Sequence, residues 1–293
     1  MIDTVIVSGG MIQKDFALDF IRKIEEERKG KKLLLLAADR GLDFFLETGL
    51  VPDIVDGDFD SLSGAGKAYL ESLDHTEIVR LNPEKDDTDT QSTLNLAIRR
   101  GAKNILILGA TGGRLDHFIG NMGLLGYGRQ KGVNVILADA QNYICLVENG
   151  YIIRKDSQFG KYISFFAAGE TVEGLTLKGF KYPLDHYRLT TDNCGRTVSN
   201  EIQEEKAKVL YEKRQSSYDH VQRFEINDVL QKRNTSYSIG NMRCFFKFIR
   251  LSRAFVLMER VRYAKIKRCI EKTIWAGNIS YFYCLWYNSK RMA

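Results

Sequence analysis

Short apolar runs and helical patterns alternate over the first 140 residues of the chain. The apolar runs predict buried strands at Thr4–Val7, Lys32–Ala37, Ile105–Gly109, Val133–Ala138 and, more weakly, Glu77–Leu81. Between them, the 3.6-residue period of a helix runs through Lys14–Glu27, Gly64–Ser72, Asp89–Arg99 and Asp116–Arg129. This alternation predicts an α/β domain over residues 1–140, with a mostly parallel, Rossmann-like sheet flanked by helices.

From about Tyr143 the pattern changes to short β-rich segments separated by Gly, Asn and Asp. These segments are Tyr151–Arg154, Tyr162–Ala167, Thr171–Leu177, Tyr187–Thr190 and Thr197–Ile202. We therefore predict a second, all-β domain over residues 141–212, with the boundary near the turn at residues 139–141.

Composition divides the chain again near residue 212. Residues 213–293 hold 17 Lys and Arg against 5 Asp and Glu, although the whole chain has a net charge of only +6. Residues 1–212 are therefore net negative, and the basic, aromatic-rich segment 213–293 needs a separate explanation.

Cysteine usage and hydropathy indicate a cytoplasmic protein. The five cysteines are odd in number and widely spaced, without a CxxC pair, as is typical of reduced thiols. The longest apolar run, Leu33–Ala38, suits a buried strand and is far shorter than a membrane span. The first ten residues lack the basic start of a signal peptide.

The first candidate site is VDGDFDS at residues 55–61. If this segment is extended, Asp58 and Asp60 point to the same side, and a hard cation such as Mg²⁺ between them and a phosphate would relieve their repulsion. An acidic turn explains the same residues equally well, because Asp and Gly are common in turns. Asp39, which directly follows a predicted strand, is a further candidate by position.

A second acidic group, KDDTDT at residues 85–90, opens a predicted helix. Thr88 or Asp89 can serve as the N-cap, but three aspartates exceed what a cap needs. Asp86 and Asp89 are three residues apart at the helix start and can face one ligand. Lys85 either contacts phosphate oxygens or offsets the local negative charge.

The third group, GATGGRLDH at residues 109–117, lies between a predicted strand and a predicted helix. Gly112 and Gly113 let the backbone approach a polyphosphate, and the helix N-terminus supplies free N–H groups. Arg114 can bind phosphate through two hydrogen bonds, while His117 either orients a phosphate or caps the helix. All three groups are predicted to lie at one edge of one sheet. Together they indicate a metal–polyphosphate site.

In their order and spacing, these motifs resemble the thiamine pyrophosphokinase family. The matching segments are a strand followed by Asp39, Pro52-Asp53, GDFDS (57–61), KDDTDT (85–90), GATGGRLDH (109–117) and TVSNE (197–201). The resemblance covers about residues 1–212. It implies an N-terminal α/β domain, a C-terminal β-sandwich that binds thiamine, and a homodimer with the active site in a cleft between subunits.

The resemblance also implies a transferase, a thiamine diphosphokinase that moves the pyrophosphoryl group of ATP to the hydroxyl of thiamine and releases AMP. The implied Mg²⁺ ligands are Asp58, Asp60, Asp86 and Asp89. Arg114 and Asp116 are expected to position the polyphosphate, and Asp89 or Asp116 to accept the proton of the thiamine hydroxyl. The residues implied for binding are Asp39, Asp53, Lys85, Thr111, Gly112, Gly113 and His117 for ATP, and Ser199 and Asn200 for thiamine.

Family members end soon after a strand equivalent to Lys206–Tyr211 and one closing strand, which the sequence KRQSS at residues 213–217 replaces here. The segment 213–293 fits a nucleic-acid surface, an amphipathic helix on an anionic membrane, or the product of a shifted frame or gene fusion, which we favour. For residues 1–212 we expect neither nucleic acid nor membrane as a partner. The alternative to the kinase is a non-catalytic nucleotide-binding or sensing module with a nucleic-acid- or membrane-binding basic tail.

Overall fold

The computed structural model describes residues 1–82, 86–169, 171–212 and 220–226. The chain divides into two compact units, residues 1–232 and residues 233–293, and the described residues all belong to the first. Lys85 and most of the segment 213–293 lie outside the described residues.

The N-terminal part is an α/β structure built on parallel strands. The strands are β1 (Thr4–Val7), β2 (Leu34–Ala38), β3 (Ile54–Gly57), β4 (Glu77–Arg80), β5 (Asn104–Leu108) and β6 (Asn134–Ala138). The helices are α1 (Lys14–Glu27), α2 (Leu42–Thr48), α3 (Gly64–Glu71), α4 (Asp89–Arg99) and α5 (Leu115–Gln130). Neighbouring strands pair in parallel in the order β4-β3-β2-β1-β5-β6, which confirms the α/β prediction.

Helices cover both faces of the parallel strands, as the sequence predicts. On one face, Ile21 of α1 and Phe45 of α2 pack with Val5 of β1 in one buried cluster. On the other face, Leu94 of α4 and Leu125 of α5 belong to a second cluster. Burial on both faces explains why the central strands β1, β2 and β5 are almost continuously apolar and do not alternate with polar residues.

The strand order reverses at β1, and this fixes where a ligand can bind. From β1 the chain adds β2, β3 and β4 on one side and then returns to add β5 and β6 on the other. In open α/β sheets, a crevice forms outside the carboxyl ends of the strands where the order reverses. The loops that follow β1 and β5 are therefore the expected walls of a binding cleft.

Beyond residue 140 the strands are antiparallel and belong to two sheets. They are β7 (Asn142–Val147), β8 (Tyr151–Arg154), β9 (Tyr162–Ala168), β10 (Thr171–Lys178), β11 (Leu184–Thr190), β12 (Lys206–Leu210) and β13 (His220–Ile226). The first sheet continues from β6 through β7 and β13 to β9, which makes nine strands, and the second has the order β11-β10-β12-β8. A third apolar cluster, which includes Phe165 of the first sheet and Val209 of the second, packs the two together.

One sequence prediction in this region is corrected, and a second is left untested. Thr197–Ile202 is not a strand: a short 3₁₀ turn at Cys194–Arg196 precedes it, and only Asn200 and Ile202 form isolated bridges. The predicted domain boundary near residue 140 falls where β6 continues into β7 of the same sheet, and it stays a prediction. In the described part of the chain, none of the helices is long and apolar enough to cross a bilayer.

Strand β13 corrects the expectation that no closing strand follows Tyr211. It pairs with β7 on one side and β9 on the other, so it lies inside the nine-stranded sheet. Arg223 and Glu225 take buried positions on this strand and form an ion pair of 3.2 Å. The sequence obscured the strand because charged residues occupy positions where apolar ones are the usual signal.

Candidate functional site

The polar motifs of the sequence meet at the carboxyl edge of the parallel strands. A cleft of about 500 Å³ opens there, next to the point where the strand order reverses. Its walls are Ser8–Met11 after β1, Ala38–Arg40 at the end of β2, Ser61, Thr88–Thr90 at the start of α4, and Gly109, Ala110, Gly112–Arg114, His117 and Asn121 from β5 to α5. The structure therefore brings together residues from four separate motifs.

Three aspartates form an acidic cluster beside this cleft. Asp39, Asp58 and Asp60 each place one carboxylate oxygen within 4.8 Å of the others. Asp58 and Asp60 converge for a different reason from the one that the sequence suggests, because β3 ends at Gly57 and the segment is not extended. Phe59 between them has a left-handed backbone (φ +65°), and the Asp60 amide donates to the Asp58 carboxylate over 3.2 Å.

Asp39 is the buried member of the acidic cluster. Its Oδ2 atom accepts a hydrogen bond from the Ser61 hydroxyl, whereas Oδ1 is buried without a hydrogen-bond partner among the described residues. Burial raises the pKa of the Asp39 carboxyl above its usual 3.8, and the charges of Asp89 and Asp58 raise it further. Gly57 makes this arrangement possible, because a Cβ atom there would lie 2.9 Å from the Asp39 Cα.

The described residues at the start of α4, Asp86 to Asp89, take different places. The Thr88 hydroxyl caps the helix by accepting from the Gln91 amide over 3.3 Å, so Thr88 and not Asp89 is the N-cap. Asp89 lines the cleft. Asp87 accepts from the side chains of Gln91 and Asn95, which lie one and two turns further along α4. Asp86 is exposed just before the helix.

The loop at residues 109–113, which we call the glycine loop, forms the opposite wall of the cleft. Arg114 follows it and is the N-cap of α5, so His117 lies within the first turn and lines the cleft without capping the helix. Arg114 donates two hydrogen bonds to Asp116, of 3.1 and 2.5 Å, and both side chains are exposed. Hydrogen bonding from Arg114 holds the pKa of the Asp116 carboxyl below its ordinary value.

Asp53 lies away from this site. It precedes β3 and therefore belongs to the amino edge of the sheet. Its carboxylate accepts from the Leu35 amide over 2.9 Å and pairs with Lys32 over 2.5 Å, which fixes the start of β2. The expectation that Asp53 lines the ATP site is not met, because a residue before a parallel strand and a residue after it lie at opposite edges.

Ser199 and Asn200 lie in the β-rich part of the chain, in the segment that connects β11 to β12 of the four-stranded sheet. Asn200 is buried, and its side-chain amide accepts from the Tyr182 amide over 3.0 Å and donates to the Tyr182 carbonyl over 2.7 Å. It therefore stabilises the neighbouring loop. Ser199 is exposed with a left-handed backbone (φ +57°), and its amide donates to the Ser164 hydroxyl.

Sequence reasoning missed several residues that build the cleft. Ser8 and Thr90 share a buried hydrogen bond of 2.7 Å that ties the start of α4 to the end of β1. Asn121 donates to the Ala110 carbonyl over 2.9 Å and supports the glycine loop from α5. Asp139 accepts from the Thr111 hydroxyl over 2.5 Å. Asp139 carried the same signal as Asp39, a carboxylate directly after a predicted strand.

Comparisons with known proteins agree along the length of the described chain. The family model described as thiamin pyrophosphokinase, catalytic domain, matches residues 27–137, and the one described as thiamin pyrophosphokinase, vitamin B1 binding domain, matches residues 150–214. A curated thiamine pyrophosphokinase from Bacillus subtilis (strain 168) is 37% identical over 170 residues, which are 58% of this chain and 78% of that protein.

Solved structures give the same result. The crystal structure of thiamine pyrophosphokinase from Bacillus subtilis superimposes with a TM-score of 0.64 at 29% identity, covering 77% of this chain and 99% of that one. A thiamin pyrophosphokinase family protein from Enterococcus faecalis gives a TM-score of 0.61 at 30% identity, with the same 77% and 99% coverage. Since sequence relatives and solved structures agree, the chain belongs to the thiamine pyrophosphokinase family.

Proposed function

We propose that this protein transfers the pyrophosphoryl group of ATP to the hydroxyl of thiamine, giving thiamine diphosphate and AMP. The observation that carries the proposal is the acidic cluster of Asp39, Asp58 and Asp60, which lies at the carboxyl edge of the sheet beside the glycine loop. Transfer of a phosphate group needs little covalent participation by the protein and depends on positioning of the substrates and neutralisation of their charge. An acidic cluster beside a glycine-rich loop and a helix N-terminus supplies both.

The acidic cluster fits Mg²⁺. Three carboxylate oxygens lie within 4.8 Å of one another, and the Asp39 Oδ1 atom is buried without a hydrogen-bond partner among the described residues. Oxygen-only ligand sets of this kind suit hard divalent cations. When bound, Mg²⁺ would neutralise negative charge on the ATP phosphates. We propose Asp58 and Asp60 as ligands, with Asp39 added to the set, and Asp86 and Asp89 remain candidates.

The glycine loop and the first turn of α5 are proposed to hold the polyphosphate. The backbone at Gly112 and Gly113 faces the cleft with no side chain in between, and the free N–H groups of the α5 N-terminus favour negative charge. Arg114 lies at the rim and can turn from Asp116 toward a phosphate, because both side chains are exposed.

The proton of the thiamine hydroxyl must leave as the new bond forms, and we propose a carboxylate oxygen of Asp89 as its acceptor because of where Asp89 lies. Asp116 is exposed and does not line the cleft. Asp89 lines the cleft next to the acidic cluster.

We also propose that the working enzyme is a homodimer. The cleft is lined by residues from Ser8 to Asn121, whereas Ser199, the proposed thiamine contact, lies in the β-rich part. Beside the cleft, Leu115 and Ile119 of α5 are 75% and 70% exposed, which is an apolar surface that a second copy can cover. If so, Ile119→Glu should shift the sedimentation coefficient of the protein toward that of a monomer. A cytoplasmic location, inferred from cysteine usage, belongs to the same proposal.

The test is thiamine-dependent formation of AMP from Mg–ATP by the full chain, compared with the Asp58→Asn variant. Asp58→Asn should lower turnover by about 10³-fold, a loss of about 4 kcal/mol of transition-state stabilisation, while the melting temperature stays near that of the wild type. Asp185→Asn, at an exposed aspartate on β11, is the matched control and should be fully active. Near-normal activity of Asp58→Asn would contradict the proposed metal site. Binding of Mg–ATP without any thiamine-dependent AMP would favour the nucleotide-sensing alternative.

A further inference from the structure

Asp139 directly follows β6 and holds two parts of the chain with its two carboxylate oxygens. Oδ2 accepts from the Thr111 hydroxyl, in the middle of the glycine loop, over 2.5 Å. Oδ1 accepts from the backbone amides of Gln141 and Asn142, both over 2.7 Å, and so shapes the turn that leads into β7. One carboxylate therefore connects the loop beside the cleft to the turn between the parallel and the antiparallel strands.

The glycine loop has few other means of being held in place. Three of its five residues are glycines, which have no side chain with which to pack. Ala110 is fixed through its carbonyl by Asn121, and Gly109 through its carbonyl by the Gly10 amide. Gly109, Ala110, Gly112 and Gly113 line the cleft, whereas the Thr111 side chain turns to Asp139. Thr111 is thus the residue of the loop whose own side chain anchors it.

We propose that Asp139 is a positioning residue for the nucleotide: it holds Thr111 and thereby fixes the glycine loop in the position that receives the ATP phosphates. The inference rests on the proposed function, since it takes the glycine loop as the polyphosphate site. The bond is charge-assisted, because the acceptor is an ionised carboxylate, and such bonds are stronger than neutral ones. A displacement of such a loop by about 1 Å can lower the rate of the reaction by about 10²-fold.

This proposal also assigns Thr111 a different part from the one that the sequence suggests. A hydroxyl that donates its proton to Asp139 cannot donate the same proton to a phosphate oxygen. The Thr111 hydroxyl therefore holds the loop and does not donate to ATP. The valine and serine variants of Thr111 separate the two roles of Asp139. Thr111→Val removes the loop bond and leaves the bonds from Oδ1 to the turn, whereas Thr111→Ser keeps the hydroxyl.

The experiment compares Thr111→Val, Thr111→Ser, Asp139→Asn and the double variant Thr111→Val/Asp139→Asn in the full chain. The readouts are kcat, the KM values for ATP and for thiamine, and the Kd for Mg–ATP measured by calorimetry without thiamine. Thr190→Val is the matched control, because the Thr190 hydroxyl also donates to an aspartate, Asp192, over 2.5 Å at the end of β11.

Thr111→Val should raise the KM and Kd for ATP by roughly tenfold and leave the KM for thiamine unchanged, as a loop that is out of place affects one substrate only. Thr111→Ser should bind ATP to within about twofold of the wild type. The double variant should bind ATP no worse than Asp139→Asn, because either substitution alone already removes the hydrogen bond between Thr111 and Asp139. Unchanged ATP binding in Thr111→Val, losses that multiply in the double variant, or equal changes for ATP and thiamine would overturn the inference.

The Kd measurement keeps this inference apart from the proposed function. If the wild type binds Mg–ATP but forms no thiamine-dependent AMP, the proposed reaction is wrong, and the role of Asp139 is decided by the Kd series alone. If the wild type does not bind Mg–ATP, both are overturned.

Discussion

Asp39 and Glu225 are both buried carboxylates, and the groups around them differ. Glu225 on β13 accepts through Oε2 from the backbone amides of Phe159 and Gly160. Its Oε1 atom forms an ion pair of 3.2 Å with Arg223 Nε, which has no hydrogen-bond partner among the described residues. The Asp39 Oδ2 atom accepts a hydrogen bond from Ser61, whereas Oδ1 is buried without a hydrogen-bond partner among the described residues. The other two aspartates of the acidic cluster lie close to it. A buried charge is stable when its oxygens are bonded, and Asp39 has only part of that compensation.

From this comparison we infer that Glu225 holds the fold and that Asp39 is available to a ligand. The Arg223 guanidinium also lies over the rings of Tyr143 and Tyr151, at 5.4 and 5.1 Å, so the pair is enclosed on several sides. Around Asp39 the neighbours carry the same charge, and burial raises its pKa. Substitution of Glu225 should therefore affect stability, and substitution of Asp39 should affect activity.

The largest effect is expected from removing the strand that carries Glu225. A chain that ends at Glu212 lacks β13, which lies between β7 and β9, so β9 loses its neighbour in the sheet and β7 is left paired with β6 alone. We expect this chain to be insoluble or unfolded, as judged by circular dichroism and size-exclusion chromatography. A chain that ends at Lys232, where the first compact unit ends, keeps β13 and should fold and remain active. A folded, active chain ending at Glu212 would show that β13 is dispensable.

The next effect concerns activity. Asp39→Asn should lower kcat/KM by about 10³-fold, equivalent to about 4 kcal/mol, because the acidic cluster loses its buried charge. Its unfolding temperature should be equal to or above that of the wild type, since the substitution removes a poorly compensated charge. Asp156→Asn, at an exposed aspartate paired with Arg154, is the control and should keep full activity. A strongly destabilised Asp39→Asn would mean that Asp39 holds the fold as Glu225 does.

Substitution of Glu225 should give the opposite result. Glu225→Gln leaves the Arg223 charge buried without its partner, which should lower the free energy of unfolding by about 3 kcal/mol. Urea unfolding followed by fluorescence measures this, with Glu201→Gln as the control, since Glu201 pairs with Lys181 at the surface. Activity measured well below the unfolding temperature should change little. If Glu225→Gln unfolds at the same urea concentration as the wild type, Glu225 does not stabilise the fold and does not differ from Asp39 in this respect.

A smaller change is expected when both charges of the pair are removed. Arg223→Met/Glu225→Gln leaves no buried charge unpaired, so its free energy of unfolding should return to within about 1 kcal/mol of the wild type. The double variant is compared with each single variant in the same urea experiment. If it is the least stable of the three, the ion pair itself stabilises the fold beyond the cost of an uncompensated charge.

The smallest effect is a pH dependence at Asp39. Its pKa is raised in the folded protein above the unfolded value of 3.8, so the folded state prefers the protonated carboxyl. This preference stabilises the fold below pH 3.8 and is lost as pH rises through the folded pKa. Without metal, Asp39→Asn should therefore gain stability relative to the wild type as pH increases above 3.8, measured by thermal unfolding in a chelating buffer. A difference that stays constant with pH would contradict the raised pKa.

The position of the site could be predicted from the sequence because it follows from topology. Parallel strands bring their carboxyl ends to one edge, so residues directly after predicted strands, such as Asp39 and Gly109, must lie together. The prediction fails where it depends on a boundary or a turn. Asp53 precedes β3 by one residue, and that places it at the opposite edge. The left-handed turn at Phe59 leaves no periodic signal in the sequence.

Strand β13 shows a further limit of sequence patterns. Its buried face carries Val221, Arg223 and Glu225, and only the first has the apolar character that marks a core strand. The two charges pair with each other, and Glu225 also accepts from the distant amides of Phe159 and Gly160, which no local pattern reports. Asn200 illustrates the same point, since its bonds to Tyr182 become visible only when the loop is folded.

The most direct measurement of the central claim is the nucleotide product formed by the full wild-type chain with ATP, Mg²⁺ and thiamine. Pyrophosphoryl transfer predicts one AMP for each thiamine diphosphate, with no AMP when thiamine is omitted. Formation of ADP in place of AMP, or AMP release that does not depend on thiamine, would contradict the account.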